Sequence, residues 1–262
     1  GDIVVSQSQK DKAELFLQMH HGPDILVLAN SWDVGSSRLV EACGYKAVAT
    51  TSMGIAASLG YPDAGVMRLA ELLPVVSAIV SAVQVPVTAD IEAGYGDTTD
   101  DVVSSVKAMI DTGIVGINIE DTVHSQKRMR SVAEHADYIG ALRAAADAAG
   151  VALVINARTD AFLGKAQTFD DPLAEAITRL RACEEAGARC AYPVKAPDAA
   201  AVRTLLAELN GPINVISHPV NGSAAGGLDE LRVLGVHRVS FGPFLQATLT
   251  NSITDIVTPW AP

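Results

Sequence analysis

Short apolar or β-branched runs recur along the chain at residues 25–29, 47–51, 85–89, 115–119, 151–155, 189–192, 213–216 and 238–241, and each reads as a buried strand. Between them, apolar residues spaced three and four apart predict helices over 100–111, 133–148, 172–186, 199–209 and 225–234. Gly44, Gly113, Gly150, Gly187 and Gly235 follow helix-like stretches, where a left-handed residue ends the helix before the next strand. Strands alternating with helices imply parallel pairing, and strands covered on both faces explain the near-continuous apolar runs. Eight such units in about 230 residues predict one (β/α)₈ barrel domain over residues 1–262, with a doubly wound open sheet as the alternative. No GxGxxG follows the first strand, which weakens the open-sheet reading. Segment 10–20 reads as an extra N-terminal helix closing the barrel's bottom.

Composition narrows the function classes. Of 262 residues, 49% are hydrophobic and 19% charged, enough apolar mass for a large core. The formal charge of −11 and the lack of a basic patch exclude nucleic acid and anionic lipid as expected partners. Residues 72–89 form an uncharged run of membrane-spanning length, but Pro74, Gln84 and Pro86 interrupt it, so a helix entering a strand is the better reading. Cys43, Cys183 and Cys190 share no metal spacing and are odd in number, which predicts a reducing, cytoplasmic setting. The opening Gly1-Asp2-Ile3 shows no basic region leading into an apolar stretch, so no secretory signal is expected, and the missing methionine suggests trimming.

In a barrel, chemistry belongs where the strands end and eight loops converge. There the chain places Asn30-Ser31-Trp32-Asp33, Thr51-Ser52-Met53-Gly54 leading on to Asp63, Asp90-Ile91-Glu92, Glu120-Asp121, Asn156-Ala157-Arg158-Thr159-Asp160, Lys195, Asn214 and Ser217-His218. Carboxylates from neighbouring strand ends must face one another across a narrow mouth, and like charges so close need a cation. Oxygen donors without cysteine or an HExxH pair select Mg²⁺ or Mn²⁺. Arg158 is placed to grip a substrate carboxylate by two prongs. Asp33, Asp121 and Asp160 either join this site or cap and brace.

The run Asp90-Ile91-Glu92-Ala93-Gly94-Tyr95-Gly96, then Gly116-Ile117-Asn118-Ile119-Glu120-Asp121 and Asn156-Ala157-Arg158-Thr159-Asp160, resembles the isocitrate lyase and phosphoenolpyruvate mutase superfamily. Asn30-Ser31-Trp32-Asp33 and Ser58-Leu59-Gly60-Tyr61-Pro62-Asp63 are similar to it too. The resemblance implies a Mg²⁺-dependent enzyme that makes or breaks a C–C or P–C bond beside a 2-oxo carboxylate through an enolate-like species, in the manner of a mutase or an oxaloacetate hydrolase. Its partner would be a small 2-oxo acid or dicarboxylate. It implies metal contacts from Asp90 directly and from Glu92, Glu120 and Asp63 through water. Trp32, Thr51, Ser52, Met53, Arg158 and Asn214 would shape the substrate pocket. It also implies a homo-oligomer, dimer or tetramer, in which segment 244–258 is exchanged between subunits.

The departures matter as much. The lyases carry a loop cysteine as catalytic acid or base, where this chain reads Gln126-Lys127-Arg128-Met129-Arg130-Ser131. A thioether transfers no proton, so isocitrate-type cleavage is not expected. Nor does the loop match the mutases' Lys-Thr-Asn-Ser. Lys127 and Arg128 are expected instead to close over a substrate's second anionic group, with Asp63 and His218 as further catalytic candidates. Two other readings stay open: a metal-independent class I aldolase using Lys195, and a non-catalytic 2-oxo-acid binder.

Overall fold

The computed structural model describes residues 5–62 and 64–262. Its strands are β1 (Leu26–Leu28), β2 (Asn30–Ser31), β3 (Val48–Thr50), β4 (Val87–Asp90), β5 (Gly116–Glu120), β6 (Thr122–Val123), β7 (Arg128–Met129), β8 (Val154–Thr159), β9 (Cys190–Pro193), β10 (Asn214–Ile216) and β11 (Arg238–Ser240). Six pair in parallel in the order β2-β3-β4-β5-β8-β9, and three more in the order β1-β11-β10. Two links close the ring. A parallel bridge from Ala191 to Ile213 joins β9 to the strand leading into β10, and the first barrel strand pairs with β11 through Leu26–Leu28 before passing to β3 through Asn30 and Ser31. A closed parallel ring replaces the open-sheet alternative.

Ten helices surround it among the described residues: α1 (Gln7–Met19), α2 (Val34–Ala42), α3 (Ser52–Ser58), α4 (Leu69–Ala82), α5 (Thr99–Asp111), α6 (Val132–Ala149), α7 (Pro172–Ala186), α8 (Ala199–Glu208), α9 (Leu228–Leu234) and α10 (Phe244–Val257). The run at 72–89 resolves into α4 followed by β4, as its prolines suggested. Side chains of Asp33, Thr98, Ser131, Asp171 and Asp198 accept from backbone N–H groups at the starts of α2, α5, α6, α7 and α8, donors that no helix satisfies internally. Asp33 is thereby accounted for as a cap.

Helix α1 seals the lower end. Phe16 is fully buried, and the His20 ring meets it edge-on at 4.8 Å. A Cβ on Gly116 would stand 2.9 Å from Phe16 and 2.6 Å from Thr88 Oγ1, so only glycine admits the plug at that point of β5. Above it the lumen is polar. Arg238, wholly buried, donates to Asn118 Oδ1 (3.2 Å), to which Asn156 also donates (2.9 Å), while Asn214 donates to Ser240 (3.1 Å). Strands β4, β5 and β8 run further than their apolar runs suggested and include Asp90, Glu120 and Arg158. Inward side chains there face the mouth while their backbones remain in the ladder.

Candidate active site

At the C-terminal ends of the strands lies a cavity of about 380 Å³ whose lining includes Asn30, Thr51, Ser52, Met53, Asp90, Glu92, Glu120, His124, Arg158 and Lys165. A roomier cleft of about 500 Å³, lined by Met19, Ile25, Cys43 and Tyr45, opens at the N-terminal side of β1, away from the converging charges. The strand-end cavity is therefore the candidate chemical site.

Register builds its charged floor. Asp90 stands opposite Asn118, and Glu120 opposite Arg158, on neighbouring parallel strands. Arg158 Nη1 lies 3.1 Å from Glu120 Oε2, and its Nε donates to Asp160 Oδ1 at 2.7 Å. Burial works against the guanidinium charge, but Glu120 and Asp160 outweigh it and raise the Arg158 pKa. Among the described residues its Nη2 has no hydrogen-bond partner, so in this state Arg158 offers a ligand one free corner and not the two prongs expected. Glu120 Oε1 meets His124 Nε2 at 2.7 Å. Burial pushes the Glu120 carboxyl up, opposed by Arg158 and His124, and the Glu120 bond raises the His124 imidazole.

Asp90 is oriented by three donors. Ser52 gives its amide (3.2 Å) and hydroxyl (2.6 Å) to Oδ2, and the Glu92 amide approaches Oδ1 at 3.2 Å. Ser52, expected to shape the substrate pocket, thus turns its amide and hydroxyl to Asp90. Thr51 caps α3 through the Gly54 amide (3.3 Å) while still lining the cavity. Glu92 adopts a left-handed backbone (φ 52°), a conformation that costs a non-glycine residue energy. Its carboxyl is raised to about 7, first by burial and then by the Asp90 charge. Burial pushes both Glu92 and Glu120 toward the neutral form, a cost that a nearby cation would offset. Asp90, Glu92 and Glu120, the carboxylates expected to reach a metal, all line this cavity.

Other expected residues lie elsewhere. Asp63 falls outside the described residues. Trp32 is half-buried beside Gly54 and does not line the cavity, and Asn214 lies below it in the lumen. His218 is satisfied in its own loop, where Nδ1 accepts from the Val220 and Asn221 amides and Nε2 meets Thr248 at 3.2 Å. Lys195 is exposed and outside the lining, so geometry gives the Schiff-base reading no support. Arg128 is turned away, donating through both Nη atoms to Glu134 (2.9 and 2.8 Å) at the start of α6. Lys127, left-handed at φ 51°, lines an adjoining cavity of about 240 Å³ with Asp160 and Lys165.

The segment from Asp121 to Ala133, expected to carry no buried anchor beyond Val123 and Met129, is a small antiparallel hairpin, β6 with β7, held by both of those and also by Arg130, which is 1% exposed. Arg130 donates to the Ala93 carbonyl at 2.6 Å and stacks 3.9 Å above the Tyr138 ring. Asp121 braces rather than faces the cavity: it accepts from Thr159 (2.7 Å), the Asp160 amide (2.9 Å) and Arg179 (3.2 Å). The reading from sequence missed His124 and Lys165, which carry no periodic or spacing signal beyond the four-residue step from Glu120 to His124.

The phosphoenolpyruvate phosphomutase family pattern matches residues 16–259. The 2-methylisocitrate lyase of Escherichia coli K12 is 30% identical over 194 residues, which is 72% of this chain but 64% of that enzyme, so the chain spans less than two thirds of that relative. Among solved structures, a Burkholderia cenocepacia J2315 protein provisionally described as a phosphonomutase superposes with TM-score 0.86 at 36% identity, covering 95% of this chain and 99% of that one. The phosphoenolpyruvate phosphomutase of Streptomyces platensis subsp. rosaceus does so with TM-score 0.78 at 28% identity, covering 93% and 85%. With its closed barrel and its acidic strand-end site, the chain belongs to the phosphoenolpyruvate phosphomutase family, within the superfamily that also holds the isocitrate lyases.

Proposed function

We propose that this chain is a divalent-metal-dependent enzyme that makes or breaks a C–C or P–C bond next to the carbonyl of a small 2-oxo acid. The observation that carries the reading is the convergence of Asp90, Glu92, Glu120 and Arg158 on one cavity of about 380 Å³, which suits a substrate of this size. A cation, Mg²⁺ or Mn²⁺, held by Asp90, Glu92 and Glu120 would supply positive charge for the oxyanion that develops on the substrate. The free Nη2 of Arg158 binds the substrate carboxylate, and Ser52 keeps Asp90 aimed at the mouth. Met129, close to where the lyases carry their cysteine, argues against isocitrate-type cleavage, and the loop's lack of the mutases' Lys-Thr-Asn-Ser weighs toward hydrolase- or decarboxylase-like chemistry over the mutase rearrangement. A panel of 2-oxo acids assayed with and without EDTA tests this. Turnover should require the cation and leave no borohydride-trapped adduct; turnover in EDTA with a trapped lysine overturns the reading.

The same reading includes a homo-oligomer. No residue of α10 is buried, and Leu249, Ile253, Ile256 and Trp260 follow one another at four-, three- and four-residue steps on exposed surface. A second copy of the chain, offering the same surface, is the occupant such a self-complementary stripe fits. Among the described residues no helix is long and apolar enough to cross a membrane.

A further inference from the structure

We infer that Glu120, His124 and Asp160 form a cation site that overlaps the carboxylate set at Glu120, in which an imidazole nitrogen joins two carboxylate oxygens and selects a transition-metal dication over Mg²⁺. Among the described residues they are the group of His, Cys, Asp and Glu whose ligand atoms all lie within 4.8 Å of one another. Proximity alone would mean little, because Arg158 already pairs with both acids. The pairing is divided atom by atom, however. Arg158 takes Glu120 Oε2 and Asp160 Oδ1. That leaves Glu120 Oε1, which meets His124 Nε2, and Asp160 Oδ2, which is buried with no hydrogen-bond partner on a residue only 2% exposed.

A buried carboxylate oxygen left unpaired is costly, and it calls for a donor or an ion. Asp160 and His124 both line the adjoining cavity of about 240 Å³, so an ion has room and an entry path. Arg158 also orients the site, since each ligating carboxylate has its second oxygen fixed by the guanidinium, as outer-shell partners fix metal ligands elsewhere. Backbone geometry holds Asp160 as well, because its amide donates to Asp121 Oδ1 at 2.9 Å.

Donor chemistry decides the ion class. Mg²⁺ prefers an all-oxygen octahedron and dehydrates reluctantly, whereas imidazole suits Zn²⁺, Fe²⁺, Co²⁺ and Ni²⁺, and is accepted by Mn²⁺. Three protein ligands leave positions for water or a substrate oxygen. The site shares Glu120 with the carboxylate set proposed above but does not depend on the reaction assigned there.

The experiment adds Mn²⁺ alone to the metal-free chain and reads affinity by calorimetry and nitrogen coupling by pulsed EPR, with Mg²⁺ as competitor. The expected result is nitrogen coupling in the wild type and in Asp90→Asn, with Mn²⁺ displaced only by a large excess of Mg²⁺. In His124→Ala the coupling should vanish, and Mn²⁺ affinity should fall about tenfold or more, as losses at a ligand do. Because His124 is exposed on a hairpin, that variant keeps its fold; Asp160→Asn, equal in size, should lose affinity by a similar factor. Absence of nitrogen coupling in the wild type, unchanged Mn²⁺ binding in His124→Ala, or binding lost in Asp90→Asn and retained in His124→Ala would each overturn the proposal.

Discussion

Glu120 and Arg158 face each other as register partners on adjacent parallel strands, 3.1 Å apart at the barrel mouth. Arg158 spends a second nitrogen on Asp160, so one guanidinium neutralises two buried acids from two strand ends. Arg158→Ala should destabilise the chain by about 3–5 kcal/mol, since it strands both charges. Arg158→Lys keeps a charge without the planar fork, so it should retain most of the stability while losing carboxylate binding. Urea unfolding of the two variants checks this. Equal destabilisation by Ala and Lys would mean that geometry, not charge, holds the site.

The α10 stripe gives a second expectation. Ile253→Asp and Ile256→Asp place charge where Leu249 and Trp260 flank an exposed apolar face, so the double variant should sediment as a smaller species than the wild type. A wild type that already sediments as a monomer would sink the assembly.

The barrel was legible because eight buried runs and their glycine stops are local signals. Charge at a strand end was visible in the sequence, but what it does was not: Asp90, Glu92, Glu120 and Arg158 line the cavity, while Asp33 caps a helix and Asp121 braces a loop. What the sequence could not show was the division of labour among neighbours. Whether Asp160 reaches the cavity or braces a loop depends on Arg158, two residues before it, and on Asp121, which meets it only once β5 and β8 pair. Arg128 and Lys127 are adjacent, yet the turn at Lys127 sends one to Glu134 and the other to a cavity. Such partitions are set by tertiary contact, which residue type alone does not encode.

The plug helix makes acid stability testable. His20 Nδ1 lies 2.7 Å from the Phe16 carbonyl and so donates, leaving Nε2 to accept from Arg238 at 3.2 Å. Burial, then the Arg238 charge, depress the pKa of this neutral imidazole to about 3. The unfolded chain, with an ordinary histidine near 6.5, therefore binds the proton first as pH falls. His20 imposes no penalty above pH 6.5, and stability drops progressively between about 6.5 and 3, by up to about 1.4 kcal/mol per pH unit. His20→Gln keeps a donor and an acceptor but does not titrate, so its stability against pH should be flatter in that window. An unchanged slope would remove His20 as a source.

The last prediction concerns how the mouth meets a substrate's second charge. Arg128, expected to help, is committed to Glu134, where it also supports the capping box of α6. Lys127 and Lys165 line the cavity beside Asp160, and Lys165 lines the main cavity too, so these two lysines can reach a distal carboxylate or phosphonate once Arg158 holds the first. Both are exposed, and solvent screening limits each contact to about 0.2–1 kcal/mol. Together, Lys127→Ala and Lys165→Ala should raise KM for dianionic 2-oxo acids by roughly 2- to 30-fold, the factor for about 0.4–2 kcal/mol, with kcat nearly unchanged. KM for pyruvate, which has no distal charge, should stay put. Arg128→Ala should leave both KM values alone and change only stability, slightly, because its pair with Glu134 is exposed and screened by solvent. Equal KM increases for pyruvate and for dianions, or a dianion-specific loss in Arg128→Ala alone, would move the distal contact away from the two lysines.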